Sequence, residues 1–258
     1  MSDLLKLEKR GHIAIVTFNN PPANTWTKES LRYLEQIVHE LNDDKNNYAL
    51  ILTSDSEKFY SAGADLNQFN HDDKGKSFES ALAFGEAFTA LTEYRGVSIA
   101  AITGYAMGGG LEVALCCDVR ICEEQAQMAL PEAAVGLLPS GLGSQHLSWL
   151  VGEQWAKRMI LLGERLKADK ALAIGLVSEV VPTGTVLEKA LELAAKVESQ
   201  SPTSVRFCKE LIMSARNGDL NAAFFKEREL FVKLWDTQDQ KEGVSAFLEK
   251  RKPEWKNA

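Results

Sequence analysis

Two glutamates stand where acids are uncommon: Glu112 in "GYAMGGGLEVALCCD" (Gly104 to Asp118) and Glu132 in "MALPEAAVGLLP", each among almost entirely apolar neighbours. A carboxylate buried in such surroundings costs several kcal/mol unless it is paired, hydrogen-bonded or protonated. Two that share a site split their titration, one ionised and one neutral near pH 7, which supplies one base and one acid. The plainer readings are an acid complementing the dipole in a first helical turn for Glu112, and an acid at N1 or N2 after Pro131 for Glu132.

Gly108, Gly109 and Gly110 precede the apolar run, and "FYSAGADL", Phe59 to Leu66, offers a second glycine-containing turn before a short helix. Glycines before a helix present bare N–H groups at its positive end, a setting for an oxyanion; the alternative is tight packing of a buried helix. Two such turns can aim two N–H groups at one point, each donor worth about 2.7–4 kcal/mol to a developing oxyanion. Other glycine chemistry is disfavoured. "GLLPSGLGS" has P-loop spacing but Leu142 where lysine is required, no GxGxxG follows a strand, and GxSxG is absent.

The elements that must position these residues follow from hydrophobic period. "HIAIVTF" and "YALILT" read as strands flanking a helix whose Leu31, Leu34, Val38 and Leu41 recur at helical spacing behind a Thr27 cap. A helix over 77–94, the strand "VSIAAIT", the glycine run and the strand "DVRIC" continue the alternation, which predicts an α/β core with crossovers. From about Gly141 the chain reads as helices, several ended by glycine, packing on that core.

The 258 residues suit one large domain or one domain plus a smaller subdomain, 45% hydrophobic and 25% charged, with no apolar run near the roughly 18–20 residues of a membrane span. The start, "MSDLLKLEKRGHIAIV", has no secretory or organelle signature, so cytoplasm is the expected compartment. Cys116, Cys117, Cys122 and Cys208 form no CxxC pair and read as buried thiols; His12, His39, His71 and His146 are scattered, so no metal site is expected. A net charge of −7 argues against nonspecific nucleic-acid binding.

"FYSAGADL", "GYAMGGGLEVALCCD", "LPEAAVGLLPSGLGSQHL", "AIGLVSEVVP" and "EGVSAFLEKRKPEW" occur in the order seen in the crotonase (enoyl-CoA hydratase/isomerase) family, and the resemblance runs from His12 to Trp255. It implies a fold of the ClpP/crotonase type: an α/β spiral of repeated β-β-α units over residues 1–195, with a helical C-terminal trimerisation region over 196–258. It also implies an acyl-CoA thioester substrate, a homotrimer or dimer of trimers, and no cofactor beyond the coenzyme A of the substrate; the acidic balance and the lack of an aromatic-basic stripe weigh against nucleic acid, and no membrane partner is expected.

Carried over by position, the backbone N–H groups of Ala64 and Gly109 would form the oxyanion hole, and Ala64, Asp65, Leu66 and Asn67 the CoA-facing loop. Phe247 and Lys250 would reach a neighbouring subunit's CoA, although a cationic helix end is an equal reading of "FLEKRKPEW". Family members that hydrate enoyl-CoA resemble this chain in having glutamates at the positions of both Glu112 and Glu132. The implied reaction is a hydro-lyase step, syn addition of water to a trans-2-enoyl-CoA giving a 3-hydroxyacyl-CoA, with Glu112 as base and Glu132 as acid. A double-bond isomerase, and a CoA-binding scaffold or RNA-binding protein, are the competing readings. The chain departs from its relatives where they commonly carry Gly-Gly-Thr-Gln-Arg: here Pro139 and Ser140 lead into Gly141, Leu142, Gly143, Ser144, Gln145 and His146. Asn67 replaces a frequent lysine, and Trp26 is bulkier than expected; both bear on chain length and CoA affinity.

Overall fold

The structure is a computed structural model that describes residues 4–218 and 220–258. Strands β1 (Leu5–Arg10) and β2 (Ile13–Phe18) form an antiparallel hairpin; β3 (Thr25–Trp26) and helix α1 (Lys28–Asp43) follow. Thr27 caps α1 as its sequence predicts, its hydroxyl accepting from the Ser30 N–H while Ser30 Oγ accepts from the Thr27 N–H.

Then a unit repeats. Strand β4 (Ala49–Ser54) leads to β5 (Phe59–Ser61), a short β6 (Gly63–Ala64), a 3₁₀ turn (Leu66–Phe69) and α2 (Lys74–Thr92). Strand β7 (Val97–Ile102) leads to β8 (Tyr105–Met107) and α3 (Gly109–Leu115). Strand β9 (Val119–Glu123) leads to β10 (Gln127–Ala129), a 3₁₀ turn (Glu132–Val135) and α4 (Gly143–Leu161). Helix α2 begins earlier than the hydrophobic period predicts, because the Asp73 side chain accepts from the N–H groups of Gly75 and Lys76 and starts the helix at Lys74.

Each repeat advances one strand along two sheets. The six-stranded sheet runs β1-β2-β4-β7-β9-β12, with β12 at Glu179–Val181; the four-stranded sheet runs β11-β10-β8-β5, with β11 at Leu166–Lys167; β3 pairs β6. This is the β-β-α spiral expected. The region after Gly141 is not helical throughout, since β11 and β12 close one edge of each sheet. They are two and three residues long, too short to show a period in sequence.

The near-continuous apolar runs of the large sheet reflect burial on both faces. Ile15, Ile51 and Ile99 stand in register on one face, beneath Ala190 and Ala194 of α6 (Val186–Val197). Val16, Leu52 and Ala100 lie on the other, in the cluster shared with α1, α2 and α3. A short α5 (Ala168–Ala173) precedes β12. Helices α7 (Pro202–Ser214), α8 (Leu220–Lys233) and α9 (Gln238–Glu249) end the chain. Lys209 fastens α7 to the core, donating to the carbonyls of Tyr94 and Gly96 and to Asp118. Three of the cysteines are buried as expected, but Cys208 is exposed, because α7 buries only Thr203 and turns its other faces outward. Among the described residues no helix is long and apolar enough to cross a membrane.

Candidate active site

Gly108 opens α3 with φ +52 and ψ −127, a backbone that glycine adopts without the Cβ penalty of other residues. The Gly63 turn presses on the same point: a Cβ at Gly63 would lie 2.6 Å from the Met107 carbonyl oxygen and 3.1 Å from the Gly109 nitrogen. The turns carrying Ala64 and Gly109 therefore meet, as the two glycine motifs suggested. Gly109 is the first residue of α3, where an N–H has no partner within its own helix.

Glu112, in the first turn of α3, is 2% exposed. Its Oε1 accepts from the N–H groups of Gly141 at 2.8 Å and Gly143 at 2.9 Å. Burial pushes its carboxyl up to about 7, helped by the nearby charge of Glu132 and opposed by the backbone donors. The reading of Glu112 as a surface acid of a first helical turn therefore fails.

Glu132 begins the 3₁₀ turn after Pro131. Its carboxylate oxygens are buried with no side-chain partner among the described residues, and burial raises its titration as well. Its Oε1 sits 3.1 Å from where a Cβ on Gly108 would stand. Both glutamates line one cavity of about 450 Å³ with Ala64, Gly108 and Gly109, and apolar walls from Phe69, Ala81, Phe84, Leu137 and Leu138.

Other residues singled out in the sequence fall outside this cavity lining. Asp65 caps the 3₁₀ turn after β6, its Oδ1 accepting from the Asn67 N–H and, at 2.8 Å, from the Asn67 side chain; Leu66 is half exposed. Trp26 is buried behind the Gly109 turn, edge-on to Phe18 and Phe88. His146 Nδ1 donates to the Leu115 carbonyl, 3.0 Å away, and burial lowers its titration. Asp118 binds Ser98 and Lys209, a structural role. On α9, Phe247 is 83% exposed, and Lys250 ends the helix in a left-handed conformation.

Two larger cavities, about 710 and 540 Å³, lie between the core and α7. Of the charged groups there, Lys209 pairs with Asp118 and Lys226 with Glu210, whereas the cavity of about 450 Å³ gathers two carboxyls that form no ion pair among the described residues. Chemistry belongs with the unpaired groups. Sequence reasoning missed the Glu112 anchors. Gly141 and Gly143 lie 29 and 31 residues from it, and the only signal was the "GLG" that interrupts the expected loop.

The chain is similar along its length to known proteins. It is 36% identical over 249 residues to the short-chain-enoyl-CoA hydratase of Clostridium acetobutylicum, covering 96% of this chain and 95% of that protein. The solved structure of Pseudomonas aeruginosa DspI is 58% identical with a TM-score of 0.96, covering 99% of this chain and 97% of that one. An enoyl-CoA hydratase structure from Bacillus anthracis is 33% identical with a TM-score of 0.94, over 99% and 100%. The profile of one family, described as enoyl-CoA hydratase/isomerase, matches residues 8–258, and with its crotonase fold the chain belongs to that family.

Proposed function

We propose that the protein is a hydro-lyase that adds water syn across the double bond of a trans-2-enoyl-CoA, giving the 3-hydroxyacyl-CoA. The observation that carries this reading is the pair of buried carboxyls on one cavity, one anchored by two N–H donors from a distant loop and one set beside Gly108. Hydratase relatives support it.

The donors on Glu112 favour its charged form, so it holds and deprotonates the water that attacks C3. Glu132, on the same cavity and with its carboxyl raised by burial, is the acid that delivers the proton to C2. The N–H groups of Ala64 and Gly109 receive the charge pushed onto the thioester oxygen before C2 is protonated. Water supplies the hydroxyl at C3, and the proton it loses replaces the one given up at C2, so the step balances without a redox cofactor; coenzyme A is the substrate's carrier. Four free cysteines fit a reducing compartment, and we place the reaction in the cytoplasm.

The test is the loss of conjugated-thioester absorbance when the protein meets crotonyl-CoA, with Glu132→Gln beside it. Rapid loss abolished by the substitution is expected; equal rates would remove Glu132 as acid, and no loss with either protein would overturn the reading. The active form carries one charge on the pair. Because the charge of Glu132 contributes to the value near 7, that value describes the pair's second ionisation. The pH profile of kcat/KM should therefore be a bell. It rises through a first ionisation above the ordinary glutamate value and falls through about 7 in the free enzyme.

The proposed assembly is a homotrimer or a dimer of trimers, with Phe247 and Lys250 reaching a neighbour's CoA. Phe225, Phe231, Val232 and Trp235 on the helices before α9, with Phe247 and Leu248 on it, are exposed apolar side chains suited to burial against another subunit. Light scattering should give three or six chains per particle; a monomer would remove that role for Phe247 and Lys250.

A further inference from the structure

The two donors that hold Glu112 flank one residue, Leu142, which stands just before α4 with φ 70 and ψ 5. A left-handed residue after one of ordinary hand turns the N–H groups on either side toward one point, the nest geometry that binds anions. Glycine takes this conformation freely; leucine does so against a steric penalty.

Neither neighbour of Leu142 has room for a side chain. A Cβ at Gly141 would lie 2.3 Å from the Phe88 ring, and one at Gly143 would lie 2.7 Å from Glu112 Cγ. The single side chain of the triplet packs against the main core cluster and lines the larger cavity under α7 with Thr92 and His146. The Leu142 carbonyl accepts from the His146 N–H at 3.0 Å, which ties the turn to the first turn of α4.

We infer that Leu142 is a positioning residue: its side chain, partly buried against the core cluster, holds the left-handed turn that converges the Gly141 and Gly143 N–H groups on Glu112. The strain at Leu142 is sustained by packing on one side of the loop and by the carboxylate on the other. This rests on the hydration reading for the role of Glu112, but the geometry stands without it.

Ionisable groups around the carboxyl are Glu132 on the same cavity, Cys116, whose thiol donates to the Gly141 carbonyl at 3.8 Å, and His146 on α4. Substitution at Leu142 changes none of them. The test uses Leu142→Val, which disfavours the left-handed turn through its branched Cβ, Leu142→Gly, which permits it without the anchor, and Leu142→Met, which keeps both. Two readouts are taken: crotonyl-CoA hydration, and infrared titration of the Glu112 carboxyl, assigned by the band that Glu112→Gln removes.

Leu142→Val should lower kcat about a hundredfold with KM little changed, the scale of misplacing one catalytic group. It should also raise the Glu112 midpoint, since backbone donors hold that midpoint down. Leu142→Gly should shift both in the same direction by less, and Leu142→Met should recover most of the activity. An unshifted midpoint in folded Leu142→Val overturns the inference even if kcat falls; should that variant not fold, an unshifted midpoint in Leu142→Gly does so. Wild-type protein inactive on crotonyl-CoA would overturn the hydration reading instead, and the titration would still decide the role of Leu142.

Discussion

Glu112→Gln should lower crotonyl-CoA hydration by about 10²–10⁴-fold, the span of general acid–base contributions, and make the fold more stable at pH 8. Both effects have one origin. Glutamine can still accept from Gly141 and Gly143 through its amide oxygen, but it cannot take a proton from water. In the folded protein the Glu112 carboxyl titrates near 7 against an ordinary 4.5, so ionising it opposes folding. A raised folded value gives stability that is fully present below 4.5 and is lost as pH rises through about 7. The loss is on the order of 3 kcal/mol, which corresponds to roughly 6–12 °C in Tm for a domain of this size. Thermal unfolding at pH 4 should therefore give similar midpoints for wild type and variant, and at pH 8 a higher midpoint for the variant. Equal midpoints at both pH values would mean that burial does not set the titration of Glu112.

Gly110→Ala should unfold the protein more readily than any other single methyl added to the glycine run. Its Cβ would lie 2.1 Å from the Ser61 carbonyl oxygen and 2.8 Å from the Ser61 carbonyl carbon. No side-chain rotation relieves a clash with backbone. Ser61 cannot move aside cheaply, because its Oγ donates to the Asn24 carbonyl at 2.7 Å and accepts from the Gly63 N–H at 3.2 Å. Overpacking of this kind costs about 3 kcal/mol or more, a fall in Tm of roughly 6–12 °C. The displacement runs through Ser61 to Gly63 and Ala64, so activity measured well below the melting temperature should fall too. Gly85→Ala is the matched control. Nothing lies within 4 Å of its added Cβ, and it sits inside α2, so the same change should stabilise by about 0.5–1 kcal/mol. If both variants melted alike, the close approach of α3 to Ser61 would not be what requires glycine at 110.

Much of the fold is legible in the sequence because its signals are local. Thr27 announces α1 through a side chain that reaches its own first turn, and the apolar runs around Ile15, Ile51 and Ile99 announce strands buried on both faces. The order of the motifs around Gly63, Gly108 and Pro131 carried the family, and with it the expectation that Glu112 and Glu132 work together. Their apolar neighbours announced that both glutamates would be at least partly buried; what the residues alone could not give was the groups that close over them. First-turn helix acids are ordinarily solvated, and the partners that make Glu112 different lie about thirty residues away in a separate repeat.

The same limit applies to the loop before α4. Its "GLG" is a composition anyone can read, but that Gly141 yields to Phe88, that Gly143 yields to Glu112, and that Leu142 turns left-handed between them are consequences of packing. Sequence determined which backbone could start a helix after the glycines and which residues could titrate. Tertiary structure alone decided which groups surround them, because the degree of desolvation and the convergence of N–H groups depend on what closes over a side chain from distant parts of the chain.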